Sequence, residues 1–364
     1  MPAPRESVRR VLLMRPDHVG DVLLSAPAVA LLRASLPQAR VTYLVGPWSA
    51  AAARHGPPVD ELRTLAFPGF TRRANANLLA PYLTLARTAV RLRAEQYDLA
   101  VVLRGDHWWG ALLALAAGIP IRVGGDSPET RPLLTHVSYP ARETTWAEQS
   151  LDIARLAVLA ADIQPVEPNR DGRQFNINDA ARSAADRLWQ QHGLDARRVV
   201  GIHPAAGAPL KSWPHERWAR LADQLVATGH AVALIGAPDD AALLSTVQAH
   251  MHACAVSLCG QALDVSAALY ARCAVVISVD SGAGHLAAAV GTPTVRLYGP
   301  ASARIFGPLS ASAHQRVLTT DALDCAPCGS LESPPCGARV SPACMLALDV
   351  EDVMNAVRIE LDQG

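Results

Sequence analysis

Short runs of Val, Ile and Leu alternate with longer amphipathic segments along most of the chain. In the first half, the runs 10–15, 40–45 and 99–104 have the composition of buried strands. The segments around them predict helices over 21–36, 78–95, 108–117 and 146–161. Strands that alternate with helices in this way are typical of parallel βαβ units.

The alternation stops at a polar, Pro-containing stretch, 164–172, and then starts again. The second half predicts strands over 199–203, 231–235, 256–258, 275–279 and 294–297. Helices are predicted between them over 215–228, 239–250, 265–272 and 282–290. The break therefore separates two βαβ regions and is interpreted as an inter-domain linker.

The chain is expected to be an α/β protein with two Rossmann-like parallel-sheet domains that face a central cleft. The predicted divisions are an N-terminal domain, 1–165, a linker, 166–178, and a C-terminal domain, 179–348. A last helix, 349–364, is expected to pack back on the N-terminal domain. Ligands of such sheets bind beyond the carboxyl ends of the strands, so residues that directly follow a strand are the candidates for function.

Composition narrows the class of protein. The 364 residues are 50% hydrophobic, which is enough for two cores, and the formal net charge of zero gives no sign of nucleic-acid binding. Residues 1–170 carry 19 Arg and no Lys against 15 acids, a balance of +4, and the remainder carries −4. This asymmetry suits an anionic acceptor or peripheral contact with the inner membrane surface, although ordinary scatter is the alternative.

No apolar run reaches the ~18 residues of a membrane span. The apolar stretch 11–14 ends at an Arg and is read as a buried first strand rather than a signal peptide. A cytoplasmic protein is therefore expected, and its seven Cys are not expected to form a secreted disulfide framework.

The first candidate motif, 15–21, follows the first predicted strand and opens a helix. Gly20 permits a tight turn, and Asp21 lies at or near the helix N-cap. Asp21 is therefore either a capping residue, which Asp often is, or a general base at the floor of the cleft.

The second motif is the small-residue loop 203–214, which begins at His203 and contains Lys211. Lys211 is the one lysine in a chain with 32 Arg. An ammonium group is a compact point charge that suits a phosphate oxygen, so Lys211 is predicted to meet a phosphate group. A solvated loop lysine is the alternative.

The third motif runs from Ser278 to Leu286, where a strand enters a helix through Ser281 and Gly282. The free N–H groups of such a helix start and the helix dipole bind anions, and Gly282 and Gly284 are expected to let a diphosphate approach. Asp280 and His285 lie in the same motif, and a buried structural role is the usual alternative for His285.

Four cysteines, Cys325, Cys328, Cys336 and Cys344, lie in a Pro- and Gly-rich segment with C-x2-C spacing at its start. Four thiolates suit tetrahedral zinc or iron, so a structural metal is predicted there. Free thiols, a chance pair and a redox disulfide are the alternatives.

The motifs together resemble glycosyltransferase family 9, the ADP-heptose:lipopolysaccharide heptosyltransferases. The resemblance rests on Arg15 with 20–22, on 203–204 with 211–214, and on 280–288 followed by 291–293 and 299–300. It covers nearly the whole chain in the family's order. Asp17 and His18 stand where the family often has Ser-Ser, and Ala205, Ala206 and Gly207 replace hydroxyl residues of its phosphate loop.

The resemblance implies a GT-B fold and an inverting glycosyltransferase that needs no metal or other cofactor for catalysis. It implies Asp21 as the base and Lys211 as the group that stabilises the leaving diphosphate. The predicted donor-binding residues are His203, Asp240, Asp280, Ser281, Gly282 and His285, with Asp240 accepting from the ribose and Asp280 holding sugar hydroxyls. The implied partners are an ADP-heptose-like nucleotide-diphosphate sugar, bound by the C-terminal domain 179–348, and a glycan or lipid-linked acceptor, bound by the N-terminal domain 1–165.

Two other functions remain open from the sequence. A sugar-nucleotide epimerase has the same two-domain plan and would convert the donor without an acceptor. A catalytically idle sugar-nucleotide binding subunit is the other, and the presence of Asp21 and Lys211 argues against it.

Overall fold

The structure is a computed structural model that describes residues 8–71, 79–140, 144–167, 174–195, 198–308, 314–320 and 323–363. The chain divides into two compact units, Met1–Asp171 and Gly172–Gly364. Each unit contains one parallel sheet with helices packed on it, so the predicted pair of Rossmann-like α/β domains is confirmed. Part of the predicted linker, 168–173, lies outside the described residues.

The first unit has a six-stranded parallel sheet in the order β3-β2-β1-β4-β5-β6. Its strands are β1 (Arg10–Arg15), β2 (Arg40–Val45), β3 (Glu61–Thr64), β4 (Leu99–Val102), β5 (Ile121–Gly125) and β6 (His136–Ser138). The pattern of apolar runs located β1, β2 and β4, which are buried. It missed β3, β5 and β6, because β3 and β6 are short, partly exposed edge strands and β5 includes Arg122 and two glycines.

The helices of this unit are α1 (Val19–Leu24), α2 (Ala26–Ser35), α3 (Ala50–Arg54), α4 (Ala80–Ala94), α5 (Trp108–Ala116) and α6 (Trp146–Ala160). The single helix predicted over 21–36 is wrong, because the chain forms α1 and α2 with a break at Ser25. Pro27, in the first turn of α2, has no N–H to continue α1, and Ser25 Oγ donates to the carbonyl oxygen of Val22 at 2.9 Å.

The second unit repeats the plan, with a six-stranded parallel sheet in the order β12-β11-β10-β7-β8-β9. Its strands are β7 (Val199–His203), β8 (Ala231–Gly236), β9 (Val256–Cys259), β10 (Val275–Val279), β11 (Thr294–Leu297) and β12 (Gln315–Leu318). Its helices are α7 (Asp179–Gln191), α8 (His215–Ala227), α9 (Ala241–His250), α10 (Leu263–Tyr270), α11 (Gly282–Ala289), α12 (Ala303–Phe306), α13 (Ala343–Leu346) and α14 (Val350–Gln363).

The C-terminal helix α14 corrects one expectation. It was expected to pack on the N-terminal domain, but its apolar face lies in the core of the second unit, where Val353, Val357 and Leu361 join Trp218 of α8. Trp213 Nε1 also donates to the carbonyl oxygen of Leu348 at 2.9 Å, which ties the start of α14 to the loop after β7. The 3.6-residue spacing of the apolar positions predicts the helix but does not identify the surface that covers it.

Each sheet has one point where the strand order reverses, which we call its switch point. It lies between β1 and β4 in the first unit and between β7 and β10 in the second. Loops that leave such neighbouring strands in opposite directions open a crevice at the carboxyl ends, which is where ligands of open α/β sheets bind. Among the described residues, no helix is both long and apolar enough to cross a membrane.

Candidate functional site

The switch point of the first sheet is built on Arg15, the last residue of β1. Its side chain is fully buried, and Nη1 donates to the carbonyl oxygen of Leu103 at 2.7 Å, just beyond β4. Its Nε lies 2.8 Å from Oδ2 of Asp17, whose side chain is also buried. The motif after β1 is therefore held to the end of β4 through a buried ion pair.

Asp21 is in the first turn of α1, next to this ion pair. The N-cap of α1 is His18, so Asp21 lies near the N-cap, as the third residue of the helix, and is not itself the cap. Its side chain is 26% exposed, and Oδ1 lies 3.9 Å from Arg15 Nη2. Burial and then the negative charge of Asp17 raise the pKa of Asp21, against the lowering effect of the nearby cations Arg15, Arg104 and His18.

Arg104 and Trp146 belong to the same group of side chains, and the sequence analysis did not select them. Arg104 pairs with Asp17, and its Nε lies 2.5 Å from Oδ1 of Asp106. The guanidinium groups of Arg15 and Arg104 lie 5.0 and 4.8 Å from the centroid of the Trp146 ring. Arg104 lies just beyond β4, so the strand-end rule applied to β4 as well as β1 would have identified it.

A cavity of about 190 Å³ opens beside these residues within the first unit. It lies at the carboxyl ends of β1, β4, β5 and β6 and is lined in part by Arg15, Asp106, Asp126, Trp146 and Gln149. Carboxylates, an amide and an aromatic ring in one concave site provide hydrogen-bond partners and an apolar face for a small polar ligand.

At the switch point of the second sheet, two predicted residues meet. Lys211 ends a 3₁₀ turn, Pro209–Lys211, in the loop after β7, and Asp280 directly follows β10. Lys211 Nζ lies 2.6 Å from Asp280 Oδ2, and both side chains are largely buried. The lysine is therefore not a solvated loop residue. Its partner is Asp280, the carboxylate that was predicted to hold the sugar.

The start of α11 is next to this pair. Ser281 is the N-cap in an extended conformation, and its side chain makes no capping hydrogen bond. Ser281 Oγ is buried and has no hydrogen-bond partner within the described part of the chain. Gly284 serves packing rather than ligand approach, because a Cβ there would lie 2.6 Å from Ser278 Oγ and 2.9 Å from Arg296 Cδ. The role expected for Gly284 is thus corrected.

His285 and Arg296 form a buried pair behind the start of α11. Arg296 Nη1 donates to His285 Nδ1 at 3.1 Å, and Arg296 has no exposed surface. No carboxylate in the described segments forms an ion pair with Arg296. Burial, followed by the charges of Arg296 and Lys211, lowers the pKa of His285 well below its usual value. The contacts of His285 fit the structural alternative, and its donor-binding role stays a prediction.

Two further predicted donor-binding residues lie at adjacent strand ends. His203 is the last residue of β7, and its Nδ1 lies 2.8 Å from the carbonyl oxygen of Ile235 in β8. Asp240 follows β8 and accepts from the N–H of Ala237 at 2.8 Å. Burial lowers the pKa of His203, and the charge of Asp240 opposes that effect. The donor-binding roles of His203 and Asp240 stay predictions.

The cysteines do not form the predicted metal site. Cys325, Cys328, Cys336 and Cys344 are free, and no group of three or more His, Cys, Asp or Glu side chains in the described ranges is placed to hold a metal ion. Cys344 is buried in α13 against Gly299, whereas Cys325 and Cys336 are exposed. The C-x2-C spacing keeps only Cys325 and Cys328 close together. Cys344 lies in α13, which places its side chain in the core.

Comparisons with known proteins show the family of this chain. The sequence profile of glycosyltransferase family 9 (heptosyltransferase) matches residues 85–334. The chain belongs to glycosyltransferase family 9. Lipopolysaccharide heptosyltransferase 2 of Escherichia coli K12 is 30% identical to this family 9 chain over 306 residues, which cover 80% of the chain and 83% of the relative.

Solved structures of the family share the fold. A family 9 glycosyltransferase from Veillonella parvula superposes with a TM-score of 0.77 at 24% identity, with 98% of each chain covered. The E. coli ADP-heptose lipopolysaccharide heptosyltransferase II gives a TM-score of 0.74 at 24% identity, covering 97% of this chain and 99% of its own. The GT-B class of the two Rossmann-like domains is thereby confirmed.

Proposed function

We propose that this glycosyltransferase moves a heptose from an ADP-heptose-like donor to a hydroxyl of a lipopolysaccharide-type acceptor, with inversion and without a catalytic metal. The observation that carries the proposal is the state of Asp21, a partly exposed carboxylate whose pKa is raised, at the switch point of a sheet. The named activities of the relatives support the choice of donor and acceptor.

In this mechanism, the first unit supplies the base. Asp21 Oδ1 or Oδ2 takes the proton of the acceptor hydroxyl as that oxygen attacks the anomeric carbon. A raised pKa makes the carboxylate a stronger proton acceptor, and the positive charge of Arg15, 3.9 Å away, opposes part of that rise. The acceptor sugar would bind in the cavity lined in part by Arg15 and Trp146.

The second unit supplies the donor site. The diphosphate would take the place of Asp280 as the partner of Lys211, and Asp280 would then accept hydrogen bonds from sugar hydroxyls. The N–H groups at Ser281 and Gly282 and the buried charge of Arg296 add positive potential at the same place. These groups stabilise the negative charge that grows on the leaving diphosphate.

The same positive groups are the reason to propose that no metal takes part. Lys211, Arg296 and the α11 N-terminus are placed on one side of the second sheet and can neutralise a diphosphate together. Asp240 would bind the ribose and His203 would line the donor pocket. We further propose that residues 1–165 bind the acceptor and residues 179–348 the donor, in the cytoplasm at the inner membrane surface.

The purified protein should be incubated with ADP-heptose and heptose-deficient lipopolysaccharide, and the product analysed by mass spectrometry and NMR. We expect ADP release that depends on the acceptor, an inverted anomeric carbon, and the same rate with EDTA present. Conversion of ADP-heptose to an isomeric sugar nucleotide without acceptor would contradict the proposal and establish an epimerase. Donor binding without any turnover would indicate a binding subunit.

A further inference from the structure

The outer face of α4 carries large apolar side chains that are exposed to solvent. Leu79, Tyr82, Leu83 and Val90 are 66%, 61%, 52% and 72% exposed, and we refer to them as the α4 strip. Leu79, Leu83 and Val90 are spaced by four and seven residues, so they share one side of the helix, with Tyr82 beside them. Scattered exposed apolar residues are normal, but four on one short segment form a patch.

The opposite face of α4 is already occupied. Ala89 and Leu92 are buried in the core of the first unit together with Trp109 and Leu113 of α5. Packing on the sheet therefore does not account for the α4 strip. A helix on the surface of a protein in water usually presents polar residues on its outer face, and α4 has apolar residues on both faces.

The charged residues of α4 itself have one sign. Arg87, Arg91 and Arg93 are exposed on α4, and the sequence from 79 to 94 contains no acidic residue. Arg93 donates to the carbonyl oxygen of Ala116 at 3.0 Å. Arg87 and Arg91 form no hydrogen bond or ion pair with any residue that the structure describes. Unpaired guanidinium groups beside apolar side chains call for a partner that is both apolar and anionic.

We propose that the α4 strip and its arginines bind the surface of an anionic lipid membrane. The apolar side chains would enter the boundary between headgroups and acyl chains, and Arg87 and Arg91 would reach the lipid phosphates. A second copy of this chain is a poorer occupant, because two α4 helices packed face to face would bring arginines together with no acidic residue of α4 to pair with them.

The test uses the full-length protein with sedimented vesicles that contain no donor or acceptor, so the result does not depend on the proposed transfer reaction. We expect binding to vesicles of phosphatidylglycerol and phosphatidylcholine, weak binding to phosphatidylcholine alone, and a loss of binding as salt is raised. The double variant Arg87→Ser/Arg91→Ser should bind anionic vesicles roughly tenfold or more weakly, since each arginine contributes about fivefold.

The variant Leu83→Gln/Val90→Gln should also weaken binding about tenfold, because it removes apolar groups that enter the lipid. Gln is a good helix former and both positions are exposed, so the unfolding temperature should not change. The matched controls are Arg182→Ser/Arg187→Ser on α7 and Leu159→Gln on α6, all exposed. They should bind vesicles like the wild type.

Three results would overturn the proposal. The first is wild-type protein that does not bind anionic vesicles or binds both vesicle types equally. The second is equal binding by the wild type and the two α4 double variants. The third is a dimer, seen by sedimentation velocity, that dissociates in Leu83→Gln/Val90→Gln, since the α4 strip would then be an interface between two copies.

Discussion

The two switch points occupy the same place in two sheets of the same topology, yet their charges differ. In the first unit, the cations Arg15 and Arg104 pair with three carboxylates, Asp17, Asp21 and Asp106. In the second unit, Asp280 pairs with Lys211, no carboxylate among the described residues pairs with the buried Arg296, and the N-terminus of α11 adds partial positive charge.

In the proposed mechanism, this difference suits the two units to different halves of the reaction. In the first unit, burial and Asp17 raise the pKa of Asp21 while the paired cations oppose part of the rise, which suits a base. A group with excess positive charge attracts a diphosphate and stabilises its departure. Changes at the first switch point should therefore affect the chemical step, and changes at the second should affect donor affinity as well.

The largest effect is expected for Asp21→Asn. It should lower the transfer rate at least about 100-fold, because a general base contributes that much, and leave donor affinity close to the wild-type value. Single-turnover rates and donor titration by calorimetry measure the two quantities separately. The variant should be as stable as the wild type or more so, since a raised pKa means that burial disfavours the ionised form of Asp21.

The control is Asp60→Asn, which removes a partly exposed carboxylate of the same unit that pairs with Arg33. This change should leave transfer within about twofold of the wild type, because exposed ion pairs contribute little. If Asp21→Asn kept more than roughly a tenth of the wild-type rate, the base would lie elsewhere and the first switch point would lose its assigned role.

The second effect concerns Lys211→Ala, which should weaken donor binding and turnover, each by roughly 10- to 100-fold. A hydrogen bond to a charged group contributes about 1.5–3 kcal/mol, and the change also leaves Asp280 without its partner. Calorimetry with ADP and with ADP-heptose measures the loss, which should be larger when the diphosphate is present than for adenosine alone.

Lys211→Arg should recover part of this loss, because the charge is kept but a planar guanidinium replaces a compact ammonium. Equal ADP affinity in the wild type and Lys211→Ala would exclude the phosphate role. A loss of the same size for adenosine would instead show that the variant had altered the fold of the loop.

The fold could be predicted to a large extent from the sequence. Buried strands such as β1, β2 and β10 are continuous apolar runs, and the two βαβ regions follow from their repetition. The edge strands β3 and β6 could not be found, because partly exposed strands lack such runs. The surface covered by α14 could not be found either, because an amphipathic pattern gives the direction of a face but not its partner.

The site could be predicted where residues directly follow a strand. Asp280 was selected for that reason, and Lys211 was selected as the one lysine of the chain in a loop after a strand; the structure brings the two together. Arg296 was missed because it lies inside β11, where a single charged residue in an apolar strand gives no positional signal. Its neighbour His285 was selected as a donor-binding residue, and its contact with Arg296 becomes visible only when α11 is packed on the sheet.

The third effect concerns Arg296→Met, which replaces a buried charge by an apolar side chain of similar length. Donor affinity should fall about fivefold or less, because Arg296 lies behind the start of α11 and its charge would act on the diphosphate through space rather than by direct contact. The pKa of His285 should rise, since one cause of its lowering is removed while burial remains. NMR titration of the His285 ring provides a readout that is independent of activity.

An unchanged donor affinity together with a raised His285 pKa would limit Arg296 to a structural role behind α11. Thermal unfolding is the control, because replacement of a buried charge by a packed apolar group is often neutral or stabilising. The Thr294 and Gln315 side chains, which accept from Arg296 at 3.2 and 2.9 Å, would lose their donor in this variant.

The smallest effect is expected for Asp17→Asn and concerns the pH profile. Asp21 faces Arg15, Asp17 and His18 from its own segment and Arg104 from the end of β4. Activity is lost as pH falls through the pKa of Asp21, and Asp17 raises that pKa. Its neutralisation should therefore move the acid limb to lower pH and change the rate at neutral pH only a few-fold.

His18→Gln removes a cation that lowers the same pKa and should move the limb the opposite way. Partial unfolding of either variant would lower the measured rate but would not change the pH at which the acid limb falls. Limbs that stay at the wild-type position in both variants would show that Asp21 does not control the profile.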